Sequence, residues 1–338
     1  MSIEPVSAVP HHLVKDHLLR RGLRPEIIEW KYFDATFGRG RERGYAWLRD
    51  GRVQGMVGII PFRMAGLQRS YEAAWTCDWH VETPDKNPGI GMLLLKTAIA
   101  ETDLLVTLGG NDATRRLVPR LATRTVPEGG FELILPLRFG GTRLYQRIAS
   151  RAGWRSLRAI EAIPIRAANS SRRGIRGVRT EHGVSPVIHA VIERSGRSAL
   201  VPMYDHQYLQ WQLARCPAVD AGSCYAPEVG APDAAALFWR QTGDGRLWRL
   251  ALWLAEGAYA QGQAVLAEVL RQVARQKGHS VSAVVSCIDG PVTQVIRGAG
   301  FRSTGRILPF YVLGKDRSVA VPGPSTVSYL DTDLAYRF

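Results

Sequence analysis

The pattern of apolar and polar positions predicts helices and strands in a mixed order along the first part of the chain. Residues 1–33 carry helically spaced apolar side chains and are predicted to be helical. Two apolar runs flank Asp50-Gly51, a strong turn signal, and predict a β-hairpin over 45–61. The pattern then predicts strands at 70–81, 104–108 and 131–135, and helices at 89–99 and 111–122. This order indicates an α/β (α+β) fold with a twisted mixed sheet flanked by helices.

The strand predicted at 70–81 carries polar side chains in its second half. Because side chains alternate along a strand, one face is predicted to carry Trp75, Cys77, Trp79 and Val81, and the other Thr76, Asp78 and His80. Asp78 and His80 are therefore expected to lie together. Cys77 is expected to face away from them, as a core residue and not a nucleophile.

The second half of the chain repeats the plan of the first half. Trp30 and Trp211 lie in similar short segments, and Asn111 and Asp289 each follow a strand at nearly the same offset. A strand is predicted at 281–286 and a helix at 291–298, and further strands are predicted to bury Trp239, Trp248 and Trp253. An offset that stays nearly constant across unlike elements indicates an internal duplication. The sequence therefore predicts two tandem domains.

Composition and charge describe an ordinary globular chain with a basic surface. Hydrophobic residues make up 46% of the 338 residues, and the formal net charge is +14. A basic surface favours nucleic acid, an anionic membrane, a phosphorylated substrate or a phosphate-rich cofactor, although an arginine-rich coding bias gives the same charge without a partner.

The spacing of the cysteines bears on the redox compartment of the protein and on whether it holds zinc or disulfides. The four cysteines form no C-x-x-C pair, which argues against a zinc site or a disulfide framework and indicates a reducing compartment. No metal is expected. No apolar run reaches the roughly 18 residues that span a bilayer, so we predict a cytoplasmic protein.

Arginine is concentrated at the predicted boundary between the halves. The segment 143–179 contains ten arginines and a single acid, Glu161. The predicted divisions are 1–142 for the first domain, 143–180 for the linker and 181–338 for the second domain. A solvated linker face, contact with an anionic membrane surface and binding of an aminoacyl-tRNA are the three interpretations of the arginines.

The sharpest chemical signal lies between the predicted strand 70–81 and the helix that follows it. Lys86 precedes Asn87-Pro88-Gly89-Ile90-Gly91. Glycines let backbone N–H groups approach a ligand, and a helix N-terminus adds partial positive charge, so this junction suits a pyrophosphate. A dinucleotide fingerprint would have a third glycine where Leu94 stands, and taken alone the pattern is most often a tight turn.

In its context, this loop resembles that of the GNAT superfamily of acyl-CoA N-acyltransferases. The resemblance rests on the order strand, basic residue, x-x-Gly-x-Gly, helix, strand and a helix beginning at Asn111, and it covers most of 30–137. Ala299-Gly300-Phe301 is similar to the end of the family's last helix. The whole chain resembles tandem GNAT-like proteins of bacterial polysaccharide and cell-envelope gene clusters, and the duplicated Fem-type aminoacyl transferases.

The resemblance implies a cosubstrate, acetyl-CoA or another acyl-CoA, and a small-molecule amine as acceptor, such as an amino sugar or an envelope precursor. It implies that the cosubstrate is bound by Trp79, Val81, Lys86, Asn87, Pro88, Gly89, Ile90, Gly91 and Met92. The catalytic residues are expected to be Asp78, His80 and Asn111. Either Asp78 or His80 would take the proton from the acceptor ammonium, since His has a suitable unperturbed pKa. For each of them, a satisfied polar residue at a sheet edge is the alternative.

Two departures from the family pattern limit what the resemblance implies. The tyrosine that normally protonates the departing thiolate is replaced by Val118, and Pro119 follows it. The second half has only Gly262 at its corresponding helix, with no preceding basic residue. We therefore expect at most one CoA site, in the first half. A degenerate pair that only binds a ligand, and a Fem-like aminoacyl-tRNA-dependent transferase, stay open as alternatives.

Four aromatic residues are candidates for binding the acceptor. Trp30, Tyr32, Tyr208 and Trp211 would line a cleft between the halves, because aromatic rings stack on sugars and bases. Packing of helix against sheet is the alternative for at least half of them.

Overall fold

The computed structural model describes residues 2–38, 40–65, 70–84, 87–138, 178–181, 190–191, 201–203, 205–213, 215–217, 221–228, 231–241, 247–276, 279–285 and 290–315. Lys86 and all but the last two residues of the arginine-rich segment 143–179 lie outside the described residues. The predictions for them are therefore unchanged.

The described residues form a mixed α/β fold. Its strands are β1 (Ser2–Pro5), β2 (Gly44–Arg49), β3 (Arg52–Ala65), β4 (Ser70–Val81), β5 (Leu104–Leu108), β6 (Arg124–Pro136), β7 (Arg179–Glu181), β8 (Val201–Met203), β9 (Ala221–Glu228), β10 (Ala231–Gln241), β11 (Leu247–Leu254), β12 (Ser280–Val285) and β13 (Arg302–Gly314). Its helices are α1 (His11–Arg20), α2 (Pro25–Ile28), α3 (Ile90–Ala100), α4 (Asp112–Leu117), α5 (His206–Leu213), α6 (Tyr259–Arg275) and α7 (Pro291–Gly298). A π-helical turn, Glu29–Phe33, continues α2.

The chain divides into two compact units that are not consecutive in sequence. Unit 1 contains the described residues of 1–130, 198–217 and 307–337, and unit 2 those of 131–197 and 218–306. The divisions at 130 and 306 fall inside β6 and β13. The units therefore differ from the predicted domains 1–142 and 181–338, because β8, α5 and most of β13 come from the second half of the chain and pack in unit 1.

Unit 1 is built on a mixed sheet with the strand order β1-β2-β3-β4-β5-β13. β8 pairs with the end of β3, where β3 has passed the end of β2. β5 runs parallel to β4 and antiparallel to β13. The amphipathic helix α3 packs on one face and buries Leu94, Leu95 and Ala98 against Trp47 and Tyr311. This packing fixes the N-terminus of α3 beside the end of β4.

Unit 2 contains strands in the order β12-β11-β10-β9-β7, with residues 131–136 of β6 paired to β12. α6 packs its apolar face on these strands, and α7 packs beside it. Trp239, Trp248 and Trp253 are buried in strands, as predicted.

Several elements match the sequence predictions closely. β4, β5 and α7 have the predicted bounds, and the hairpin turns at Asp50-Gly51, where both residues have the positive φ that this turn type requires. The prediction that all of 1–33 is helical is wrong at the N-terminus. Ser2–Pro5 is a strand that pairs antiparallel with β2, because a short segment without a period of its own takes the hydrogen bonds that the edge of β2 offers.

Among the described residues, no helix is both long enough and apolar enough to cross a membrane.

Candidate active site

β4 separates from β5 in the middle of its length. Among the described residues, the two strands pair at three positions, of which the last joins Trp75 to Val106. β4 continues for six more residues and stays paired with β3 as far as Val81 opposite Gly55. The edge of β4 that faces β5 therefore has no strand partner over 77–81 within the described part of the chain. Such an edge offers backbone donors and acceptors to an extended ligand.

The loop that joins β4 to α3 is shaped by side-chain hydrogen bonds. The Asn87 side-chain nitrogen donates to the carbonyl oxygens of Glu82 and Thr83, at 3.3 and 3.2 Å, and Arg49 donates to the Asn87 side-chain oxygen at 3.0 Å. Gly89 precedes the first residue of α3 with a φ of +87°, and among the described residues, its two chain neighbours aside, no atom lies within 4 Å of where its Cβ would be. A side chain at this position, immediately before α3, would therefore meet open space.

The predicted cofactor residues at the start of α3 pack against the end of β4. The Trp79 indole nitrogen donates to the Gly91 carbonyl oxygen at 3.0 Å, and a Cβ on Gly91 would lie 3.5 Å from the same ring. Ile90 and Val81 are buried in the core under α3, Met92 is half-buried, and Pro88 is exposed. The structure thus brings Trp79, Val81 and 87–92 together at one corner of the sheet.

A β-bulge at Asp78 reverses the side-chain alternation of β4. The register of β4 against β3 shifts between Met56 and Gly58, and Asp78 has a φ of +46°. The prediction that Cys77 faces away from Asp78 is therefore wrong, because the extra residue puts both side chains on the same face. Trp79 and Val81 lie on the opposite face, under α3.

Asp78 is held in a buried cluster with Lys31 and Tyr32. The Lys31 ammonium lies 2.7 Å from one Asp78 oxygen, and the Tyr32 hydroxyl donates to the same oxygen at 2.5 Å. The side chains of Lys31 and Asp78 are 1% and 5% exposed. A Cβ on Gly58 would lie 2.3 Å from the Tyr32 hydroxyl, so only glycine leaves room for this arrangement.

Sequence reasoning did not identify Lys31. A lysine within an aromatic run looks like an exposed helix position, and its burial depends on the π-helical turn at Glu29–Phe33. This wider turn directs the adjacent residues Trp30, Lys31 and Tyr32 inward together. A charged residue flanked by large aromatics was the only available signal.

His80 lies on the same side of the sheet as Asp78 but has different neighbours. Its ring centroid is 6.1 Å from that of His17, which is fully buried in α1. Burial, together with the nearby Arg21 and His17, lowers the pKa of His80 to about 4. His80 is therefore neutral at neutral pH, but it is a weak proton acceptor there.

Asn111 acts as a helix cap. Its side-chain oxygen accepts from the Thr114 backbone N–H at 2.9 Å and from the Thr114 hydroxyl at 3.1 Å, at the start of α4. This is the usual role of asparagine before a helix, and it explains the residue without a catalytic function. Val118 is fully buried in the core under α3.

The four aromatic residues predicted to bind the acceptor are core residues of unit 1. The rings of Trp30 and Trp211 stack at 4.2 Å, and each indole nitrogen donates to the other residue's carbonyl oxygen, at 3.0 and 3.2 Å. All four side chains, those of Tyr32 and Tyr208 included, are buried. Their burial favours the packing alternative, because a ring must expose a face to stack on a ligand. Tyr208 also lines a small cavity with Phe37 and Phe62, and the acceptor cleft stays a prediction.

No group of three or more His, Cys, Asp or Glu residues among those described could hold a metal ion.

The fold is similar to that of solved N-acyltransferase structures. A probable N-acyltransferase, a conserved protein of unknown function from Enterococcus faecalis, matches with a TM-score of 0.58 and 10% identity, over 94% of this chain and 73% of that one. Saccharomyces cerevisiae N-myristoyltransferase with bound myristoyl-CoA matches with a TM-score of 0.56 and 9% identity, over 85% of this chain and 73% of that one. A GCN5-related N-acetyltransferase from Anabaena variabilis matches with a TM-score of 0.51 and 13% identity, over 89% of this chain and 71% of that one.

No family model and no curated protein matches the chain. At these sequence identities, the similarity to solved structures shows the fold alone. The chain has a mixed α/β fold of the GNAT type, in agreement with the predicted fold class.

Proposed function

We propose that this protein is an acyl-CoA-dependent N-acyltransferase with one CoA site, in unit 1. The observation that carries the proposal is the separation of β4 from β5 directly beside the open loop at Gly89. An extended pantetheine arm would pair with the free edge of β4, and the pyrophosphate would lie at the N-terminus of α3. Lys86 and Arg49 would add positive charge at this loop.

The chemistry requires a proton acceptor, polarisation of the thioester carbonyl and stabilisation of the thiolate. In the proposed site, backbone N–H groups between Trp79 and Val81 polarise the carbonyl. Asp78 is our choice for the proton acceptor, since it lies at the point where β4 leaves β5, whereas His80 has a pKa of about 4. Asn111 has no step in this proposal, because its side-chain oxygen caps the N-terminus of α4.

For the acceptor and the acyl donor, only the chemical class is proposed. We propose a small-molecule amine, such as an amino sugar or an envelope precursor, and acetyl-CoA or a longer acyl-CoA. The yeast enzyme with bound myristoyl-CoA supports a long acyl chain on this fold. We also propose that the protein is cytoplasmic and that its arginine-rich segment 143–179 contacts an anionic membrane surface or a tRNA.

A second candidate is a protein that binds acyl-CoA without transferring the acyl group. The specific observation in its favour is Val118, which is buried in the core where the family's tyrosine would stand. Binding of acyl-CoA without release of free CoA, over a panel of amines, would support this candidate over the first.

Calorimetric titration with acetyl-CoA tests the CoA site. We expect one site per chain and at least about tenfold weaker binding by Gly89→Asp, because the new carboxylate repels the pyrophosphate where open space now lies. Gly89→Asn adds a side chain of similar size without the charge, so it separates the effect of the carboxylate from that of the added volume. Both aspartate and asparagine tolerate positive φ.

Gly257→Asp is the matched control, since Gly257 has a φ of +79° and open space before α6 in unit 2. The affinity of Gly257→Asp for acetyl-CoA should equal that of the natural chain. Loss of binding in Gly257→Asp with retention in Gly89→Asp would contradict the site.

A further inference from the structure

Lys31 holds an amino group against Asp78, which lies in the part of β4 beyond its pairing with β5. It is the most buried of the lysines that the structure describes, whereas Lys96 and Lys315 are exposed and the Lys15 side chain is 33% exposed. The Lys31 ammonium contacts Asp78, three residues beyond the last residue of β4 that pairs with β5.

Two irregularities of the backbone meet at this amino group. The π-helical turn directs Lys31 and Tyr32 inward, and the bulge at Asp78 directs its carboxylate toward them. A π-helical turn is rare and a non-glycine residue held at positive φ is costly, and both occur preferentially at functional sites. Their coincidence at one oxygen atom of Asp78 favours a chemical role for the cluster.

Stability alone gives a weak reason for a buried ion pair here. Moving two charges out of water costs about as much as their attraction returns, and apolar residues of similar size often serve as well. The ammonium of Lys31 is already desolvated and already bonded to a carboxylate. Desolvation favours the uncharged amine, and Asp78 lies within hydrogen-bond distance to accept its proton.

We infer that Lys31 is a self-acylation site, which the chain modifies with the acyl-CoA bound in unit 1. The inference rests on the proposed function. Asp78 accepts a proton from the Lys31 ammonium, and the freed nitrogen lone pair forms a bond to the thioester carbonyl carbon. The carbon–sulfur bond breaks, and the sulfur leaves with its electron pair as CoA thiolate.

The proton balance closes through Asp78. The proton on Asp78 passes to the thiolate, and the second proton of the nitrogen is released to water. The products are N-acyl-Lys31, CoA thiol and one proton. The uncharged amide leaves Asp78 with Tyr32 as its donor, so the modification removes a positive charge from the cluster.

The test is the rate of acetylation at each lysine when the full chain is incubated with acetyl-CoA, followed by peptide mass spectrometry. Uncatalysed acetylation favours exposed amines, so faster labelling of the buried Lys31 than of Lys15 and Lys96 is the expected result. Asp78→Asn should slow labelling at Lys31 by about a hundredfold. Lys15→Arg is the control and should leave the rate at Lys31 unchanged.

A second measurement keeps the inference testable if Asp78→Asn does not fold. In the urea-unfolded natural chain, Lys31 should lose its advantage and label at the rate of Lys15. Calorimetry separates the two claims. Acetyl-CoA binding without preferential labelling of Lys31 would overturn the self-acylation site alone, whereas absence of binding would overturn the proposed function and the inference with it.

Discussion

Asp78, Lys31 and His80 have surroundings that their positions in the sequence do not reveal. The sequence identified Asp78 and His80 as polar residues of one strand, and their common side of the sheet is correct. It did not predict that Cys77 lies on this side too, because a bulge depends on how β4 pairs with β3 and leaves no local pattern. Lys31 was missed for a similar reason, since its burial follows from a π-helical turn.

The two histidines make stability depend on pH. Burial lowers the pKa of His17, and the pKa of His80 falls to about 4, against 6.5 for an unperturbed histidine. Between these values the unfolded chain binds more protons than the folded chain, so the free energy of unfolding decreases as the pH falls from about 7 toward 4. Urea unfolding at several pH values measures this slope.

His80→Gln isolates the contribution of His80 to the slope. We expect a shallower dependence between pH 6.5 and 4.5, while His12→Gln, at an exposed position of α1, should keep the slope of the natural chain. An identical slope in His80→Gln and the natural chain would refute this origin of the dependence.

Among the elements, the strands and helices that carry their own pattern were the ones that could be predicted. β4 alternates apolar and polar residues over 75–81, α7 has a strong apolar face, and both have the predicted bounds. β1 and the π-helical turn depend on partners elsewhere, and neither was predicted. The similar segments around Trp30 and Trp211 led to the prediction of a repeat, but not to the prediction that they pack directly against each other.

The pairing of Trp30 with Trp211 should hold α5 on unit 1. Trp211→Ala removes a stacked, fully buried ring together with the indole N–H that donates to the Trp30 carbonyl oxygen. We expect a loss of about 3–5 kcal/mol in the free energy of unfolding, measured by urea.

Tyr259→Ala serves as the control, because Tyr259 is 40% exposed, and it should cost less than about 0.5 kcal/mol. The double variant Trp30→Ala/Trp211→Ala should lose less than the sum of the two single losses. Strict additivity would show that the two rings do not stabilise each other.

At the scale of the whole molecule, the two units are assembled from interleaved parts of the chain. β13 pairs with β5 in unit 1 although almost 200 residues separate the two strands. The predicted duplication indicated two domains, and the structure has two compact units, but no sequence pattern showed that the described residues of 198–217 and 307–315 belong to unit 1. Pairing between distant strands is decided by the folded sheet, which local periodicity does not encode.

In the proposed site, one acyl-CoA molecule binds along the free edge of β4. Amide hydrogen exchange with and without CoA tests this most directly, because it reports which backbone groups gain hydrogen bonds. We predict slower exchange at 77–81 and 89–91 on CoA addition, with no change in β11 of unit 2. CoA binding without protection in β4, or with protection centred on β11, would contradict the account.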